Sequence, residues 1–249
     1  MNRHTSKPRY RFLWAITMLI VVSSEFDLIN YRLFGWNEVG RSVEGRPIRM
    51  AEFGRGDRTV LFVGMVHGNE FVGKELLLQL YQYLKDHPEE YAGRRVLILP
   101  VANPDGVAAN TRVNADKVDI NRNFPTENWV VKTRRKKYKS GASPASEPET
   151  KLLIRIIEEE RPKAIVSIHQ PFACINYDGP AAELAEKLVN ITGLELKQDI
   201  GYNTPGSFGT FTGMERGIPT ITMELPWKVV LSDYESKYIP ALVEVIKSF

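Results

Sequence analysis

The sequence predicts an α/β fold, a single domain with a mixed, mostly parallel sheet flanked by helices. Short apolar runs that suit buried strands alternate along the chain with longer amphipathic segments that suit helices. Polar residues follow several of the apolar runs, as expected of an open α/β sheet whose ligands bind beyond the carboxyl ends of its strands. No linker-like composition divides the chain after residue 30, and 249 residues, 43% of them hydrophobic, are enough for one large core.

The first half of the chain is expected to form three strands and one helix. Pro47–Phe53 and Thr59–Val66 are apolar runs joined by a Gly-containing turn. Phe71–Lys85 has apolar residues at helical spacing and is closed by His87-Pro88. Arg95–Val101 is apolar on both faces, which is typical of a buried parallel strand.

The second half is expected to alternate helices and strands in the same way. Ser146 is predicted to cap a helix that has Pro148 in its first turn and ends near Glu160, before Pro162. Four more elements follow: the strand Ala164–His169, the helix Pro180–Thr192, the strand Pro219–Glu224 and the helix Asp233–Ser248. Strands separated by helices imply right-handed crossovers in one sheet.

The N-terminus has the layout of a secretory signal. Four basic residues within 1–11 precede the apolar run Phe12–Val22, and Ser23-Ser24 follow it. The run is shorter than the about 17–25 residues of a stable membrane span, and its cationic flank disfavours the alternative of a buried helix. We expect residues 1–24 to be a signal peptide or an N-terminal membrane anchor, with residues 12–22 as the tether in the second case. The domain over 30–249 would then lie in the periplasm or on the cell-wall side; a cytoplasmic location is the alternative.

Composition narrows the function classes. The single cysteine, Cys174, excludes an intrachain disulfide and any Cys-based zinc cluster. Residues 1–11 and 132–139 carry ten of the 33 basic residues and no acidic one, so the rest of the chain has 23 basic against 30 acidic residues. No nucleic-acid partner is expected. The run 132–139 is either a solvated loop or an electrostatic guide for anionic peptides or wall polymers.

Four residues near predicted strand ends form a candidate metal site. His67, His169 and Glu224 each come at the end of an apolar strand, and Glu70 lies three residues after His67. The carboxyl ends of parallel strands share one edge of a sheet, so these residues are expected to meet. Two imidazoles and a carboxylate, with a fourth position left for water, form the ligand set of many catalytic zinc sites. A hydrogen-bonded histidine or a polar loop explains each residue alone, but the combination favours a metal.

Two further expectations complete this site. The pair Gly68-Asn69 is expected to form the turn that points His67 and Glu70 at one ion, because glycine turns without a Cβ clash. Glu224 is the candidate general base of a metal-assisted hydrolysis. The alternative for Glu224 is a salt-bridged surface residue, although Pro226 and apolar neighbours favour a pocket.

The chain resembles the zinc carboxypeptidases of the carboxypeptidase A superfamily through motifs that occur in one order: HxxE at 67–70, NPDG at 103–106, VDINRNF at 118–124, a His-terminated strand and a strand-end Glu. Four segments are similar to the murein peptide amidase branch: NRNFPTENW, GASPASEPET, IHQPFACI and YNTPGSFGTF. The similarity covers roughly residues 36–226. The combined motifs are specific, whereas each one alone is not.

The resemblance implies one Zn²⁺ per chain and assigns roles to individual residues. These are His67, Glu70 and His169 as zinc ligands, Glu224 as the base, Asp119 as the carboxylate that orients the His67 ring, Arg112 as the oxyanion stabiliser, Asn121 and Arg122 as binders of a substrate carboxylate, and Tyr202 as a substrate-capping residue. A surface ion pair is the alternative for Arg122. Cys174 either lines the pocket or is an inert packed thiol.

The resemblance also implies a reaction, in which Glu224 assists the attack of zinc-bound water on an amide. The substrate would be a murein peptide cut between γ-D-glutamate and meso-diaminopimelate, or a similar C-terminal amide. One alternative is a zinc deacylase of N-acyl amino acids, similar to desuccinylases and aspartoacylases, against which the NRNF and YNTPGSFG segments count. Another is a non-catalytic wall-peptide-binding relative, which the presence of Glu224 disfavours.

Overall fold

The computed structural model describes residues 35–131, 139–198, 201 and 203–249. One compact unit spans Asn37–Phe249; Met1–Trp36 form a separate unit, of which only Gly35 and Trp36 are described. The predicted signal or anchor at 1–24, residues 132–138 of the basic run and Tyr202 lie outside the described residues. In the part of the chain that is described, no helix is long and apolar enough to span a membrane.

A single eight-stranded sheet organises the described residues, in the order β1-β2-β4-β3-β5-β8-β6-β7. Its strands are β1 (Trp36–Arg41), β2 (Pro47–Gly54), β3 (Arg58–Val63), β4 (Arg94–Leu99), β5 (Ala164–His169), β6 (Phe172–Asp178), β7 (Glu195–Leu196) and β8 (Thr220–Pro226). The central strands β4, β3, β5 and β8 are mutually parallel, whereas β2 and β6 pair antiparallel with β4 and β8. The predicted mixed, mostly parallel sheet is confirmed.

Five helices flank this sheet within the described ranges. They are α1 (Val72–Asp86), α2 (Pro104–Ala109), α3 (Pro148–Glu160), α4 (Ala182–Thr192) and α5 (Ile239–Ser248). Shorter helical turns occur at Pro88–Tyr91, Ile120–Arg122 and Thr210–Met214, and the turns Leu231–Asp233 and Tyr234–Tyr238 lead into α5. The predicted helix Asp233–Ser248 thus starts slightly earlier and contains a π-helical turn.

The core lies between the sheet and its helices. Val60–Val63 of β3 are all fully buried, as the apolar run predicts for a central strand with both faces covered. Leu61 and Val63 share one cluster with apolar residues of α3, including Leu152 and Ile156. On α1, Gly73 lies against the side chain of Ile168 in β5. Burial of these faces holds the carboxyl ends of β3, β5 and β8 at one edge.

Three predicted strand ends are wrong, and one of them is the end of β4, which lies at Leu99 rather than Val101. β3 ends at Val63 rather than Val66, because the chain turns through Gly64 and Met65, whose φ is 45°. The apolar run continues because this turn is itself buried. The backbones of Ala102 and Asn103 bond to it in place of a strand ladder. β8 continues two residues past Glu224 to Pro226, so Glu224 lies within the strand.

The predicted cap of α3 is also wrong. Glu147 occupies the N-cap and Pro148 begins the helix, with no side-chain capping bond. The Ser146 hydroxyl instead donates to the Glu147 carboxylate and accepts from Asn123 Nδ2. The strands β1, β6 and β7 and the helix α2 were not predicted, although α2 begins within the NPDG motif.

Candidate active site

The sheet topology brings the four candidate residues to one edge. His67 and Glu70 lie on the loop between β3 and α1, and His169 is the last residue of β5. Glu224 is the partner of His169 in the parallel register of β5 and β8. All four are at least 93% buried and line one cavity of about 270 Å³. The expectation that these residues meet is confirmed.

Three side chains of this set converge on one point. His67 Nδ1 lies 2.8 Å from Glu70 Oε1, and His169 Nδ1 lies 2.9 Å from Glu70 Oε2. The two Nδ1 atoms are 3.1 Å apart. Among the described residues, His67, Glu70 and His169 form the only group of three or more His, Cys, Asp or Glu residues with ligand atoms this close together.

The outward nitrogen of each imidazole has its own partner. His67 Nε2 lies 3.1 Å from Asp119 Oδ1, and His169 Nε2 lies 3.0 Å from Ser167 Oγ. His67 lies between two carboxylates that can only accept, Glu70 at Nδ1 and Asp119 at Nε2. A metal ion held at Nδ1 would require the proton of the neutral ring on Nε2, where Asp119 accepts it. In that tautomer the lone pair of His67 Nδ1 points toward Glu70 and His169.

This arrangement fits a zinc ion. With bonds of about 2.0–2.2 Å, two ligand atoms of a tetrahedral zinc site are roughly 3.3–3.5 Å apart, close to the separations of 2.8–3.1 Å in this cluster. A proton between a nitrogen and the carboxylate makes such a contact a hydrogen bond, and a zinc ion would take the place of that proton. The donor set of two imidazoles and one carboxylate matches catalytic zinc sites.

The charges of the buried carboxylates favour the binding of a cation at the two histidines. Burial by itself disfavours the Glu70 carboxylate, but the adjacent His67 and His169 outweigh it and hold the Glu70 pKa well below its usual range. Burial likewise opposes a charge on His67, yet the nearby Glu70 and Asp119 carboxylates raise its pKa. Negative charge is therefore concentrated around the histidines.

Asp119 connects three groups around the metal ligands through its carboxylate. Its carboxylate is fully buried and contacts His67 Nε2, Arg112 Nε at 2.9 Å and the backbone N–H of Asn121 at 3.0 Å. Burial opposes its ionisation, but Arg112 and His67 hold its pKa well below the usual range. Asp119 is thus placed to fix the orientation of the His67 ring.

Three of the four predicted substrate-facing residues, Arg112, Asn121 and Arg122, line the same cavity. Arg112 NH1 lies 3.5 Å from Glu70 Oε1, so the guanidinium borders the ligand cluster. Arg122 lines the cavity and is 3% exposed. Asn121 Oδ1 accepts a 2.8 Å hydrogen bond from the backbone of Phe208. This bond fixes the amide and leaves its NH₂ as the group available to a ligand.

Glu224 has the environment of a base rather than that of a surface ion pair. Among the described residues its carboxylate has one hydrogen bond, a 3.4 Å contact from the backbone N–H of Phe172. Burial, with a contribution from the Glu70 charge, raises the Glu224 pKa, although His169 acts in the opposite direction. A carboxylate with few bonds and a raised pKa accepts a proton more readily than an exposed one.

Gly68 is required by packing. A Cβ at Gly68 would overlap the backbone of Gly106 and Val107 in α2. In the NPDG motif, Asn103 caps α2 through Gly106 N and also donates to Val66 O. The predicted turn between the two ligands is therefore present, but its glycine permits a close backbone approach, and its φ is not in the left-handed region.

Sequence reasoning missed several residues of the site. Gln170 connects the segment after Glu70 with the segment after Glu224, because its side chain accepts from Val72 N and donates to the carbonyls of Pro226 and Trp227. Ser167, two residues before His169, could have been found from the strand period of two. The position of Gln170 between the segments depends on tertiary structure and has no local signal.

The two remaining candidates have different outcomes. Tyr202 lies outside the described residues, and its capping role stays a prediction. Cys174 is fully buried and is not among the described residues that line the cavity. Burial, with the nearby Glu224 charge, raises the pKa of its thiol to about 11. Cys174 is thus the packed, inert thiol of the two alternatives.

Fold and site together define a metallohydrolase of the α/β class, and the sequence profile described as zinc carboxypeptidase matches residues 32–190. The chain belongs to this family. Murein peptide amidase A from Vibrio campbellii (strain ATCC BAA-1116) is 37% identical over 201 residues, which cover 75% of this chain and 77% of that protein. The protein of the same name from Escherichia coli (strain K12) is 35% identical over 165 residues, which cover 62% and 67%.

A solved structure extends the similarity. The crystal structure of murein-tripeptide amidase MpaA from Escherichia coli O157 aligns with a TM-score of 0.70 and 29% identity, over 86% of this chain and 92% of that one. Bovine thrombin-activatable fibrinolysis inhibitor aligns with a TM-score of 0.73 at 19% identity, which demonstrates the shared fold alone. The resemblance to zinc carboxypeptidases and to their murein peptide amidase branch is confirmed.

Proposed function

We propose that this protein is a zinc-dependent amidase that cleaves the bond between γ-D-glutamate and meso-diaminopimelate in murein peptides. One observation carries the proposal: the buried His67–Glu70–His169 cluster lies beside Glu224, a carboxylate with a raised pKa, in a single cavity. The named function of the two sequence relatives supports this substrate class.

His67, Glu70 and His169 would hold the zinc ion. When bound in such a site, zinc lowers the pKa of water to about 7 and polarises the substrate carbonyl. Asp119 and Ser167 contact the Nε2 atoms of the two imidazoles, so both Nδ1 atoms would be available to the ion. The described structure leaves no competing partner for these nitrogens beyond the cluster itself.

Glu224 performs the proton transfers. It accepts a proton from the attacking water and delivers it to the nitrogen of the departing amine. Its single weak hydrogen bond to the Phe172 backbone leaves the carboxylate available for both steps. Arg112 is the residue we assign to the developing oxyanion, since its guanidinium borders the ligand cluster.

Arg122 and Asn121 bind the carboxylate of the departing residue. The guanidinium fork of Arg122 suits a two-bond contact with a carboxylate. The Asn121 amide is turned by Phe208 N so that its NH₂ can donate to the same group. Both residues line the cavity, and a free carboxylate next to the scissile amide would be recognised there.

Mass spectrometry of defined muropeptides tests the proposal. L-Ala-γ-D-Glu-meso-diaminopimelate is incubated with zinc-loaded and with chelator-treated protein, beside a panel of N-acyl amino acids. We expect release of diaminopimelate by the zinc-loaded protein only. Cleavage of the N-acyl amino acids without cleavage of the tripeptide would replace the proposal by the deacylase function.

We also propose that the domain over 30–249 acts outside the cytoplasm. The proposal rests on the basic, apolar and small-residue pattern of residues 1–24 alone. Expression of the full chain followed by fractionation and N-terminal sequencing tests it. Processing near residue 24 or retention in the membrane fraction is expected, whereas unprocessed protein in the cytosol would contradict it.

A further inference from the structure

An exposed group of aromatic residues, which we call the aromatic rim, borders the catalytic cavity. It consists of Phe71, Phe172 and Trp227, the exposed aromatic side chains of the described residues, at 42%, 47% and 62% exposure. Phe172 and Trp227 also line the cavity that contains the ligand cluster. A single exposed apolar residue is ordinary, whereas several at the edge of one cavity indicate a surface that binds a ligand.

Hydrogen bonds of one side chain hold the three segments of the rim together. Gln170 Oε1 accepts from the backbone N–H of Val72, the residue after Phe71. Gln170 Nε2 donates to the backbone carbonyl of Trp227, and Phe172 follows Gln170 by two residues at the start of β6. These bonds use backbone groups of the neighbouring segments, so the positions of the segments do not depend on the aromatic rings.

The rim and the carboxylate-binding residues are connected to the ligand cluster through different groups. The backbone N–H of Gln170 donates to Glu70 Oε2 at 3.3 Å. The backbone N–H of Asn121 instead donates to Asp119, the carboxylate that contacts His67 Nε2. With the carboxylate of the departing residue near Asn121, the part of the cavity bordered by the rim remains for the acyl portion of the substrate.

The distance from the base to the rim suits a peptide that carries a sugar. Trp227 follows Glu224 by three residues, which corresponds to about 10 Å along an extended chain. In murein, the amine of L-Ala is joined to the lactyl group of a muramic acid sugar. About eleven bonds then separate the scissile carbonyl carbon from the sugar ring, a reach of up to roughly 14 Å. A free tripeptide ends at that amine and has no ring to place on the rim.

The chemistry of the rim favours a sugar over a lipid surface. The face of an aromatic ring is electron-rich and packs well against the C–H groups on one face of a sugar ring, whose hydroxyls remain in water. Polar groups accompany the rim, because Lys228 is exposed next to Trp227. A bilayer on the rim would also cover the cavity, since Phe172 and Trp227 belong to both.

We propose that the aromatic rim binds the sugar of a glycan-linked murein peptide, with the Trp227 ring stacked on the sugar. The inference rests on the proposed amidase function and adds the substrate class, namely peptides still attached to a glycan rather than free tripeptides. The proposed location outside the cytoplasm agrees with this class, because wall peptides are attached to glycan there.

Three peptides that differ only at the L-Ala amine test this substrate class. L-Ala-γ-D-Glu-meso-diaminopimelate is prepared with an N-acetylmuramyl, an N-acetyl or an N-hexanoyl group. The acetyl peptide controls for loss of the amine charge, and the hexanoyl peptide controls for a general preference for apolar chains. We expect kcat/KM of the zinc-loaded wild-type protein to be at least about tenfold higher for the muramyl peptide than for the other two.

Variants of the rim show which residue is responsible for this preference. Trp227→Ala is expected to reduce the ratio of kcat/KM between the muramyl and acetyl peptides to below about threefold. Trp227→Phe retains a flat ring and should keep a larger ratio than Trp227→Ala. The control is Leu196→Ala, which removes an exposed apolar side chain of β7 outside the cavity and should keep the wild-type ratio.

Thermal unfolding separates binding from a structural effect. Trp227→Ala should keep the wild-type Tm, because the ring is largely exposed and Gln170 bonds to the backbone of this residue. Equal kcat/KM for the three peptides, an equal gain from the hexanoyl group, an unchanged ratio in Trp227→Ala, or a lower Tm with equal loss on all peptides would overturn the assignment of the rim while leaving the amidase function intact. Failure of the wild-type protein to cleave any of the three would refute the amidase function, and the assignment of the rim with it.

Discussion

Replacement of Asp119 by asparagine should weaken zinc binding without touching any zinc ligand. The Asp119 carboxylate is fully buried and lies 3.1 Å from His67 Nε2 and 2.9 Å from Arg112 Nε. An asparagine side chain of the same size has one acceptor oxygen for these two donors and directs an NH₂ group at the other. The His67 ring would lose its preferred tautomer or its orientation.

The expected magnitude follows from that single bond. Loss of a carboxylate that orients a metal-binding histidine typically costs 10–100-fold in metal affinity, or about 1.4–2.8 kcal/mol. At a free zinc concentration near 100 times the wild-type Kd, zinc stabilises the wild-type protein by about 2.7 kcal/mol. The same concentration would stabilise Asp119→Asn by only about 0.4–1.4 kcal/mol.

Chelator competition and paired unfolding curves, with and without zinc, measure this difference. The metal-free curves account for any cost of weakening the contact between residue 119 and Arg112. Ser167→Ala is the matched comparison, because it removes only the hydroxyl 3.0 Å from His169 Nε2 and should have a smaller effect. Unchanged zinc affinity in Asp119→Asn would refute the proposed function of Asp119 as the group that orients His67.

Three other substitutions or reactions probe separate parts of the structure. Gly68→Ala should lower the free energy of unfolding by more than about 2 kcal/mol, because the Cβ of the alanine would overlap the α2 backbone. Urea titrations measure this loss, and an unchanged midpoint would contradict the packing argument. Arg122→Lys should raise KM by more than about tenfold with a smaller change in kcat, because a lysine keeps the charge but loses the two-bond contact with the substrate carboxylate. An unchanged KM would show that Arg122 does not bind the substrate. Cys174, with its pKa raised to about 11, is largely protonated at pH 8. Its labelling by a thiol reagent should be at least about 100-fold slower than in urea, and equal rates would mean that the thiol is accessible.

The metal cluster could be predicted from sequence because its signals are local or follow from general topology. His67 and Glu70 are close in sequence, and His169 ends an apolar run whose bounds the structure reproduces. The rule that ligands bind at the carboxyl ends of parallel strands then supplies the contact between distant segments. The end of β3 was less predictable, because the buried turn after Val63 has the same apolar composition as a strand.

Asp178 shows what such reasoning could not reach. In the sequence it is one of 30 acidic residues, and β6 has no regular apolar alternation that would predict a strand. Its position at the cavity arises from the antiparallel register with β8 and from two glycines that follow it by more than 30 residues. Both are long-range features, set by packing rather than by local propensity.

Turnover and zinc content of Glu224→Gln, measured on the same sample, test most directly whether this cavity is a zinc hydrolase site with Glu224 as its base. The substitution preserves shape and removes only the charge and its ability to take a proton. We expect kcat on the murein tripeptide to fall by about 10²–10⁴-fold, with one zinc ion per chain retained and no loss of thermal stability. A variant that keeps wild-type turnover would show that Glu224 is not the base, and one that loses zinc together with activity would make Glu224 part of the metal site instead.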